Sequence, residues 1–258
     1  MKQYIADAFT KDVFKGNPAA VCVMDEWIAD DLMEKIAIEN NLSETAFIVR
    51  EGDRYHIRWF TPGGEVDLCG HATLASSYIL SRFYDTASHE YAFTSLSGDL
   101  YVRRHDDLFE LDFPCRMPEE IELSDRMKLA LNGLSAKAYL DRDLMLVLES
   151  EEAVREFTPD LQKIMDVPEG MGFLITAKGK NYDFVSRTFF PKLKVAEDPV
   201  CGSAHCNFIP YWANILGKNK MKAYQASPRG GEVICELKDD RVLISGNAAL
   251  YSEAEIFV

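Results

Sequence analysis

The apolar and polar positions of this chain follow the two-residue period of β-strands over much of its length. Alternating patterns and short apolar runs bounded by turn residues predict strands. In the first half they cover residues 4–8, 19–24, 46–51, 55–60, 90–94, 98–105 and 108–113. In the second half they cover residues 137–140, 144–149, 172–177, 182–189, 232–236, 241–245 and 253–258. The pattern therefore predicts a protein rich in strands.

Helical spacing is limited to four segments, residues 30–39, 71–83, 160–165 and 204–216. Many small residues in the second segment predict a helix that packs closely on all sides and is enclosed by sheet. The last segment is its predicted counterpart, in which we expect Pro210 to bend the helix or to confine its regular part. Strands around one central helix in each half predict an α+β fold.

A short motif occurs twice, and each copy ends in a Cys-Gly pair. An Arg-x-Phe-x-Pro segment precedes Cys69-Gly70 in the first copy and Cys201-Gly202 in the second. Proline and cysteine are seven positions apart in the first copy and ten in the second, so the second copy has a three-residue insertion. The repeat favours two similar domains, with the proline-containing segment 112–118 as the linker.

Composition and charge restrict the classes of partner. The chain has 258 residues, of which 47% are hydrophobic and 27% charged, as in globular proteins. Its net charge is −14, from 42 acidic and 28 basic residues. A nucleic-acid partner requires clustered Lys and Arg, so we expect none.

The remaining composition gives expectations about compartment and cofactors. No apolar run is long enough to span a bilayer, and the first residues lack the apolar segment of a secretion signal. We therefore expect a cytoplasmic protein with six reduced cysteines and no membrane partner. Scattered histidines and the lack of Cys-x-x-Cys predict no metal site, and the lack of a glycine-rich phosphate loop argues against a nucleotide cofactor.

The two Cys-Gly pairs precede helix starts, where unpaired N–H groups and a partial positive charge favour a bound carboxylate. A thiol at such a position has a lowered pKa and can act as a base or nucleophile. Cys69 and Cys201 could therefore remove a proton from one face of a substrate and return one to the other. The alternative is that each is a small buried apolar residue.

Four further polar residues are candidates. If the two repeats face each other, His71 and Asp198 lie at the mouth of the same site. His71 can also exchange a proton near pH 7. Glu44 stands at the entry to an apolar strand, either as a turn residue or as a general acid/base whose pKa is raised by apolar neighbours. Asn17 lies between two strands, in a simple turn or where its amide orients a substrate.

Several of these segments together resemble the signature blocks of the PhzF-like family of phenazine-biosynthesis proteins. They read DAFT, FxGNPAAV, NLSETAF, FTP, CGHATLA and EDPVCGSAH, at residues 7–10, 14–21, 41–47, 60–62, 69–75 and 197–205. The resemblance implies the diaminopimelate epimerase fold, in which two similar domains, each a curved sheet or barrel around a central helix, enclose a cleft. It also implies that the last strand returns to the first domain and that the protein is a homodimer. The expected domains are residues 1–113 plus about 248–258, and residues 114–247.

The resemblance also implies roles for individual residues. In the family, the Glu of the Ser-Glu-Thr block is the general acid/base, which is Glu44 here, and His71 and Asp198 assist it. Main-chain groups near the two glycines hold the substrate. The predicted substrate-binding residues are Asn17, Ser43, Gly70, Ala72, Gly202 and Ser203. The implied reaction is a proton transfer on a small carboxylate metabolite that needs no cofactor.

Cysteines at both motif positions distinguish this chain from the phenazine enzyme itself. Diaminopimelate epimerase and proline racemase, which are similar in fold, use two such cysteines as their acid/base pair but lack the Ser-Glu-Thr block. Three hypotheses follow. The chain is an isomerase that uses Glu44, a two-cysteine racemase or epimerase that uses Cys69 and Cys201, or a non-catalytic protein that binds a small molecule.

Overall fold

The structure is a computed structural model that describes residues 1–258. The first part of the chain contains β1 (Lys2–Ala8), β2 (Asn17–Met24), α1 (Asp30–Asn40), β3 (Thr45–Glu51), β4 (Arg54–Thr61), β5 (Gly64–Val66), α2 (Gly70–Phe83), β6 (Glu90–Ser95), β7 (Gly98–His105) and β8 (Leu108–Pro114). The remainder contains β9 (Glu119–Ile121), α3 (Asp125–Ala130), β10 (Ala136–Leu140), β11 (Leu144–Leu148), α4 (Glu151–Glu156), α5 (Leu161–Met165), β12 (Phe173–Lys178), β13 (Phe184–Phe190), β14 (Val195–Asp198), α6 (His205–Leu216), β15 (Lys220–Gln225), β16 (Gly231–Lys238), β17 (Arg241–Gly246) and β18 (Ala248–Glu255). None of the helices has the length and apolar character needed to cross a lipid bilayer.

The chain divides into two compact units. The first contains Met1–Asp112 and Ser245–Val258, and the second contains Phe113–Ile244. The boundary at residue 112 falls within the segment predicted as a linker. Its first three residues continue β8, and residues 115–118 have no regular secondary structure.

Within the first unit, antiparallel and parallel strand pairs follow one another in a definite order along the chain. β1 pairs antiparallel with β18 and with β2, and β2 pairs parallel with β3. β4 pairs antiparallel with β3 and β5 and parallel with β6, which pairs antiparallel with β7. The antiparallel pairing of β18 with β1 gives the unit a strand from the end of the chain, as the family resemblance implies.

The second unit repeats this sequence of orientations. β10 pairs antiparallel with β9 and with β11, and β11 pairs parallel with β12. β13 pairs antiparallel with β12 and β14 and parallel with β15, which pairs antiparallel with β16. The degenerate sequence repeat therefore corresponds to a duplicated strand topology.

Each copy of the repeated motif also contains a bidentate ion pair between an arginine and a glutamate. Nε and Nη2 of Arg58 donate to the two carboxylate oxygens of Glu65, both at 2.6 Å. The same atoms of Arg187 donate to Glu197 at 2.8 and 2.9 Å. The partners are seven positions apart in the first copy and ten in the second, and the 3₁₀ turn Pro191–Leu193 lies in the longer interval. This turn accounts for the three-residue insertion.

The small residues of α2 allow it to be enclosed, as the sequence predicts. Its first eight residues are all buried, and the helix packs against β1, β2, β3, β7 and β18. Ala and Ser keep the helix narrow, so the surrounding strands can approach it closely. The N-terminal end of α2 is thereby held in a fixed place within the first unit.

The corresponding helix α6 continues through Pro210. Proline lacks the N–H that would bond the carbonyl four residues earlier, which here belongs to Cys206. That carbonyl accepts a hydrogen bond from the Arg116 main-chain N–H instead, at 3.1 Å. The expectation that Pro210 confines the regular part of the helix was wrong, because another segment supplies the missing donor.

The core of the second unit lies between its strands and the short helices α3, α4 and α5. Buried apolar side chains from β11, β12 and β13 pack against residues of these helices, such as Met127, Val154 and Ile164. In the first unit, a separate apolar cluster joins Met33 and Ile36 of α1 to the sheet. Each unit thus buries one face of its flanking helices.

Candidate active site

Glu44 lies directly before the first residue of β3, Thr45, in the first unit. Its main-chain carbonyl accepts a hydrogen bond from the N–H of Ala20 at 3.4 Å, which connects it to β2. The parallel pairing of β2 and β3 begins one residue later, at Ala20 and Thr45. The Glu44 side chain is only 16% exposed. An acidic side chain is therefore largely withdrawn from water at the edge of the apolar core.

Cys69 is the N-cap residue of α2, with extended backbone at φ −143°. Its carbonyl accepts two hydrogen bonds from Thr73, one from the N–H at 3.2 Å and one from Oγ1 at 2.5 Å. These bonds fix the first turn, which contains Gly70, His71 and Ala72. The N–H groups of these three residues have no partner within the helix and are available to an anion.

The imidazole of His71 lies between two candidate acid/base groups. Its Nε2 is 3.2 Å from Oε2 of Glu44, and its Nδ1 is 3.5 Å from Sγ of Cys69. His71 and Cys69 are both buried, at 4% and 6% exposure. The structure thus brings together three of the predicted catalytic residues, all from the first unit.

Burial changes the expected behaviour of His71. Desolvation lowers the pKa of its imidazole from 6.5 to about 3. The expectation that His71 titrates near pH 7 was therefore wrong, and the ring is neutral there. A neutral imidazole carries a proton on one nitrogen and a lone pair on the other, so it can donate to one neighbour and accept from the other.

The same three residues offer one ligand atom each within 4.8 Å of one another, which raises the question of a metal ion. Zinc bonds of about 2.0–2.3 Å require donors that converge on one point. Here the two nitrogens of His71 face different partners. The three ligand atoms form a compact cluster, and because the imidazole contacts the carboxylate with one nitrogen and the thiol with the other, the cluster can pass a proton among its groups.

The remaining candidates of the first unit lie on the same elements as this cluster or on neighbouring ones. Ser43 directly precedes Glu44 and is half-buried, and Gly70 and Ala72 are buried in the first turn of α2. Asn17 is fully buried as the first residue of β2, where it pairs with Ala8 of β1. Asn17 is therefore the first residue of a strand, and its main chain takes part in the regular antiparallel pairing of β1 with β2.

In the second unit, the structure corrects the prediction for Cys201. Helix α6 begins at His205, and a turn over residues 202–204 separates it from the cysteine. Burial raises the pKa of the Cys201 thiol well above 9.0, and the nearby Asp198 carboxylate raises it further. The predicted lowering of this pKa was wrong, because desolvation outweighs any benefit from a nearby helix start.

Cys201 has polar neighbours on the same loop. Its Sγ is 3.4 Å from Oγ of Ser203, and Gly202 between them is buried. Asp198 is half-buried as the last residue of β14. The second unit thus places the predicted residues Asp198, Cys201, Gly202 and Ser203 on one short segment.

Sequence analysis missed several buried polar side chains that bond to this segment. Gln225, Thr188 and His205 are fully buried, and each bonds to the main chain at Asp198 or Cys201. His205 falls within the second motif, which could have marked it. Gln225 ends a strand between ordinary turn and surface residues, so its sequence context gives no indication.

Comparison with known proteins gives concordant results. A family model described as "Phenazine biosynthesis-like protein" matches residues 6–254. A Pseudomonas aeruginosa protein named an uncharacterized isomerase is 49% identical over 97% of this chain and 96% of its own length. A human phenazine biosynthesis-like domain-containing protein is 39% identical over 98% of both chains.

Solved structures extend the likeness to the whole fold. A PhzF-family phenazine biosynthesis protein from Enterococcus faecalis superposes with a TM-score of 0.98 and is 51% identical, covering 100% of this chain and 99% of its own. A probable proline racemase from Agrobacterium radiobacter has a TM-score of 0.67 at 9% identity, covering 100% and 93%. The predicted α+β, diaminopimelate epimerase-like fold is confirmed.

Proposed function

Since the chain belongs to the phenazine biosynthesis-like family, we propose that it is an isomerase that transfers a proton on a small carboxylate metabolite, with Glu44 as the general acid/base. The names of its Pseudomonas relatives, which are called isomerases, support this reaction class. The observation that carries the proposal is the close contact of Glu44 with the neutral, buried His71.

The reaction is a displacement of one proton within the substrate. The Glu44 carboxylate takes a proton from a carbon next to a carboxylate or conjugated system, the double bond shifts, and the carboxylic acid returns the proton to another carbon. Substrate and product have the same composition, and no electrons are gained or lost. The reaction therefore needs no redox or nucleotide cofactor.

We propose that His71 helps to position Glu44 during this transfer, through the 3.2 Å approach of its Nε2 to Glu44 Oε2. In the tautomer that we assign, Nε2–H faces the Glu44 carboxylate and Nδ1 accepts from the Cys69 thiol. Because the imidazole is neutral, it orients the carboxylate without pairing it with a full positive charge. A full positive charge at this position would lower the basicity of the carboxylate.

The N-terminus of α2 stabilises the charge that develops on the substrate. The N–H groups of Gly70 and Ala72 in the first helical turn donate to the substrate carboxylate or enolate, and the helix dipole adds a partial positive charge. Asn17 and Ser43 orient further polar groups of the substrate. Such preorganised donors are typically worth about 10²–10³ in rate for each one removed.

The residues of the second unit contribute through the second copy of the motif. We assign Asp198 a supporting role in proton transfer and the loop at Gly202 and Ser203 a role in substrate binding. The raised pKa of Cys201 favours a protonated thiol at neutral pH, which can donate a hydrogen bond or a proton but is a poor base. Support for these roles comes from the family blocks and the repeat.

A second candidate function is a two-cysteine racemase. It is favoured by the 3.5 Å contact between Cys69 Sγ and His71 Nδ1, which gives this thiol a polar partner at the start of α2. It requires that Cys201 serve as the opposite acid or base.

Solvent isotope exchange distinguishes these hypotheses. The protein is incubated in D₂O with a panel of small unsaturated carboxylates and amino acids, and deuterium incorporation and product chirality are recorded by NMR. The isomerase hypothesis predicts a product with a shifted double bond, which carries deuterium where the Glu44 acid exchanges with solvent before it returns the proton. Inversion at the α-carbon of an amino acid would establish the racemase. A panel member that raises the melting temperature but never exchanges would indicate a binding protein.

A further inference from the structure

The main chain between Asp198 and Cys201 is held by side chains rather than by secondary structure. Gln225 contributes most of these contacts. Its Oε1 accepts a hydrogen bond from the Cys201 N–H at 2.9 Å, and its Nε2 donates to the Asp198 carbonyl at 2.6 Å. Nε2 also donates to Thr188 Oγ1 at 3.0 Å. One fully buried amide thus joins both ends of the segment.

Two further side chains bond to the same segment. His205 Nδ1–H donates to the Cys201 carbonyl at 2.7 Å, and Ser227 Oγ donates to the Pro199 carbonyl at 2.8 Å. The His205 ring is fully buried beside Phe184 and Phe208, whose centroids lie 6.0 and 5.5 Å from its own. The N–H and C=O of Cys201 are therefore both fixed from the interior of the unit.

The chemistry of these contacts requires an amide at position 225. A carboxamide presents one acceptor and two donor hydrogens in a plane, and Gln225 uses the acceptor for an N–H and the donors for two oxygens. A carboxylate there would face the Asp198 carbonyl without a proton to share. An apolar side chain would leave buried main-chain groups of Asp198 and Cys201 without this partner, which is costly in a dry interior.

We propose that Gln225 is a positioning residue that sets the placement of Asp198 and Cys201, with His205 as the second clamp on Cys201. The inference rests on the proposed function for the claim that Asp198 or Cys201 takes part in the reaction. Gln225 itself touches only main chain and Thr188 among these contacts, so it acts on the reaction through the segment that it holds.

The test compares Gln225→Met with a control that loses similar bonds elsewhere in the same unit. Thr176 is fully buried, accepts from Trp212 Nε1 at 2.9 Å and donates to the Val185 carbonyl at 2.7 Å. Thr176→Val keeps the side-chain shape and removes both bonds away from the segment 198–201. Both variants are compared in stability by urea unfolding.

Two readouts separate positioning from general destabilisation. Amide hydrogen exchange at Cys201 should be about tenfold faster in Gln225→Met, as expected for one lost hydrogen bond, and unchanged in Thr176→Val. In the isotope-exchange assay, kcat should fall about tenfold or more in Gln225→Met while KM stays near the wild-type value. Thr176→Val should alter neither constant. If Gln225→Met does not fold, Gln225→Leu provides the same comparison, because it also removes the acceptor for the Cys201 N–H and the donor to the Asp198 carbonyl.

The two proposals fail in different ways. If Asp198→Asn abolishes turnover but Gln225→Met retains the kcat of Thr176→Val, the positioning role is overturned and the proposed function stands. If Asp198→Asn and Cys201→Ala both retain full turnover, the role of the second unit in the reaction is overturned. Unchanged amide exchange at Cys201 in Gln225→Met would refute the clamp itself.

Discussion

The motif positions of His71 and Cys201 suggest that both side chains ionise near neutral pH. Burial shifts the pKa of each away from that range. Desolvation lowers the pKa of the imidazole to about 3 and raises that of the thiol. Each group is therefore neutral at pH 7, although it lies near a helix start where an anion or thiolate would be favoured. The residue types were predictable from the motif, and their protonation states depended on how deeply the fold buries them.

Much of the candidate site in the first unit could be predicted from the sequence. Glu44, Cys69 and His71 were all candidates, and the structure places them in contact. Gln225 could not be predicted, because its importance arises from main-chain groups that are distant in sequence. A buried polar side chain is recognised as such only when its partners are known.

Replacement of Glu44 by Gln tests the residue that we propose carries the proton. The amide keeps the size of the side chain but cannot accept the proton, so the exchange rate should fall by about 10²–10⁴ with little change in the free energy of unfolding. Solvent-deuterium NMR on the substrate found in the panel provides the measurement. Glu39→Gln, an exposed acid five positions earlier on α1, serves as the control and should leave the rate unchanged.

At the scale of elements, the longer periodic segments were predicted well, and several of the shorter elements were missed. All predicted strands except the last lie within two residues of the observed bounds. The predicted bounds of the last strand, residues 253–258, were wrong, because β18 covers Ala248–Glu255 and gains its order from pairing with β1. Helices α3 and α4, of six residues each, were not predicted, although the five-residue α5 was.

The turn between β1 and β2 depends on a glycine. Gly16 has φ +63°, and a Cβ built there would lie 2.1 Å from the Ala8 carbonyl oxygen. Because backbone cannot move aside easily, Gly16→Ala should destabilise the protein by well over the ~1 kcal/mol typical of Ala at positive φ. Urea unfolding measures the loss.

Gly52 provides the matched control for this turn. Its φ is +67°, almost the same as that of Gly16, but a Cβ there would meet nothing within 4 Å. Gly52→Ala should therefore cost only the ~1 kcal/mol of backbone strain. Equal losses in the two variants would show that close approach to Ala8 has no part in the stability of the turn.

At the scale of the whole molecule, duplication explains why two units of low sequence similarity share one strand topology. The pairings of β1 to β7 recur in β10 to β16, and β18 and β9 each add a strand to the first member of their set. What the sequence retains of the duplication is the Arg-Glu pair, the proline and the Cys-Gly motif. A homodimer and a cytoplasmic location stay predictions.

Two buried histidines give the stability of the protein a defined pH dependence. The native pKa values of His71 and His205 are lowered to about 3 and about 4 by burial. Between pH 6.5 and 4 the unfolded chain binds a proton at each histidine and the native protein does not. The free energy of unfolding should therefore fall as pH falls, by about 1.4 kcal/mol per pH unit for each histidine.

Urea unfolding at intervals from pH 7.5 to 4.5 measures this dependence. His205→Asn should reduce the slope by about half, since only His71 would remain as a buried neutral imidazole. A wild-type stability that stays constant over this range would contradict the assignment of both histidines as neutral in the native state.

The central claim is that Glu44, and neither thiol, carries the transferred proton. The most direct measurement is the solvent-deuterium exchange rate of Cys69→Ala and Cys201→Ala, measured beside Glu44→Gln with the same substrate. We predict that each cysteine variant keeps most of the wild-type rate, while Glu44→Gln loses at least about 10². Loss of exchange in both cysteine variants, with Glu44→Gln unaffected, would contradict the claim and assign the chemistry to the thiols.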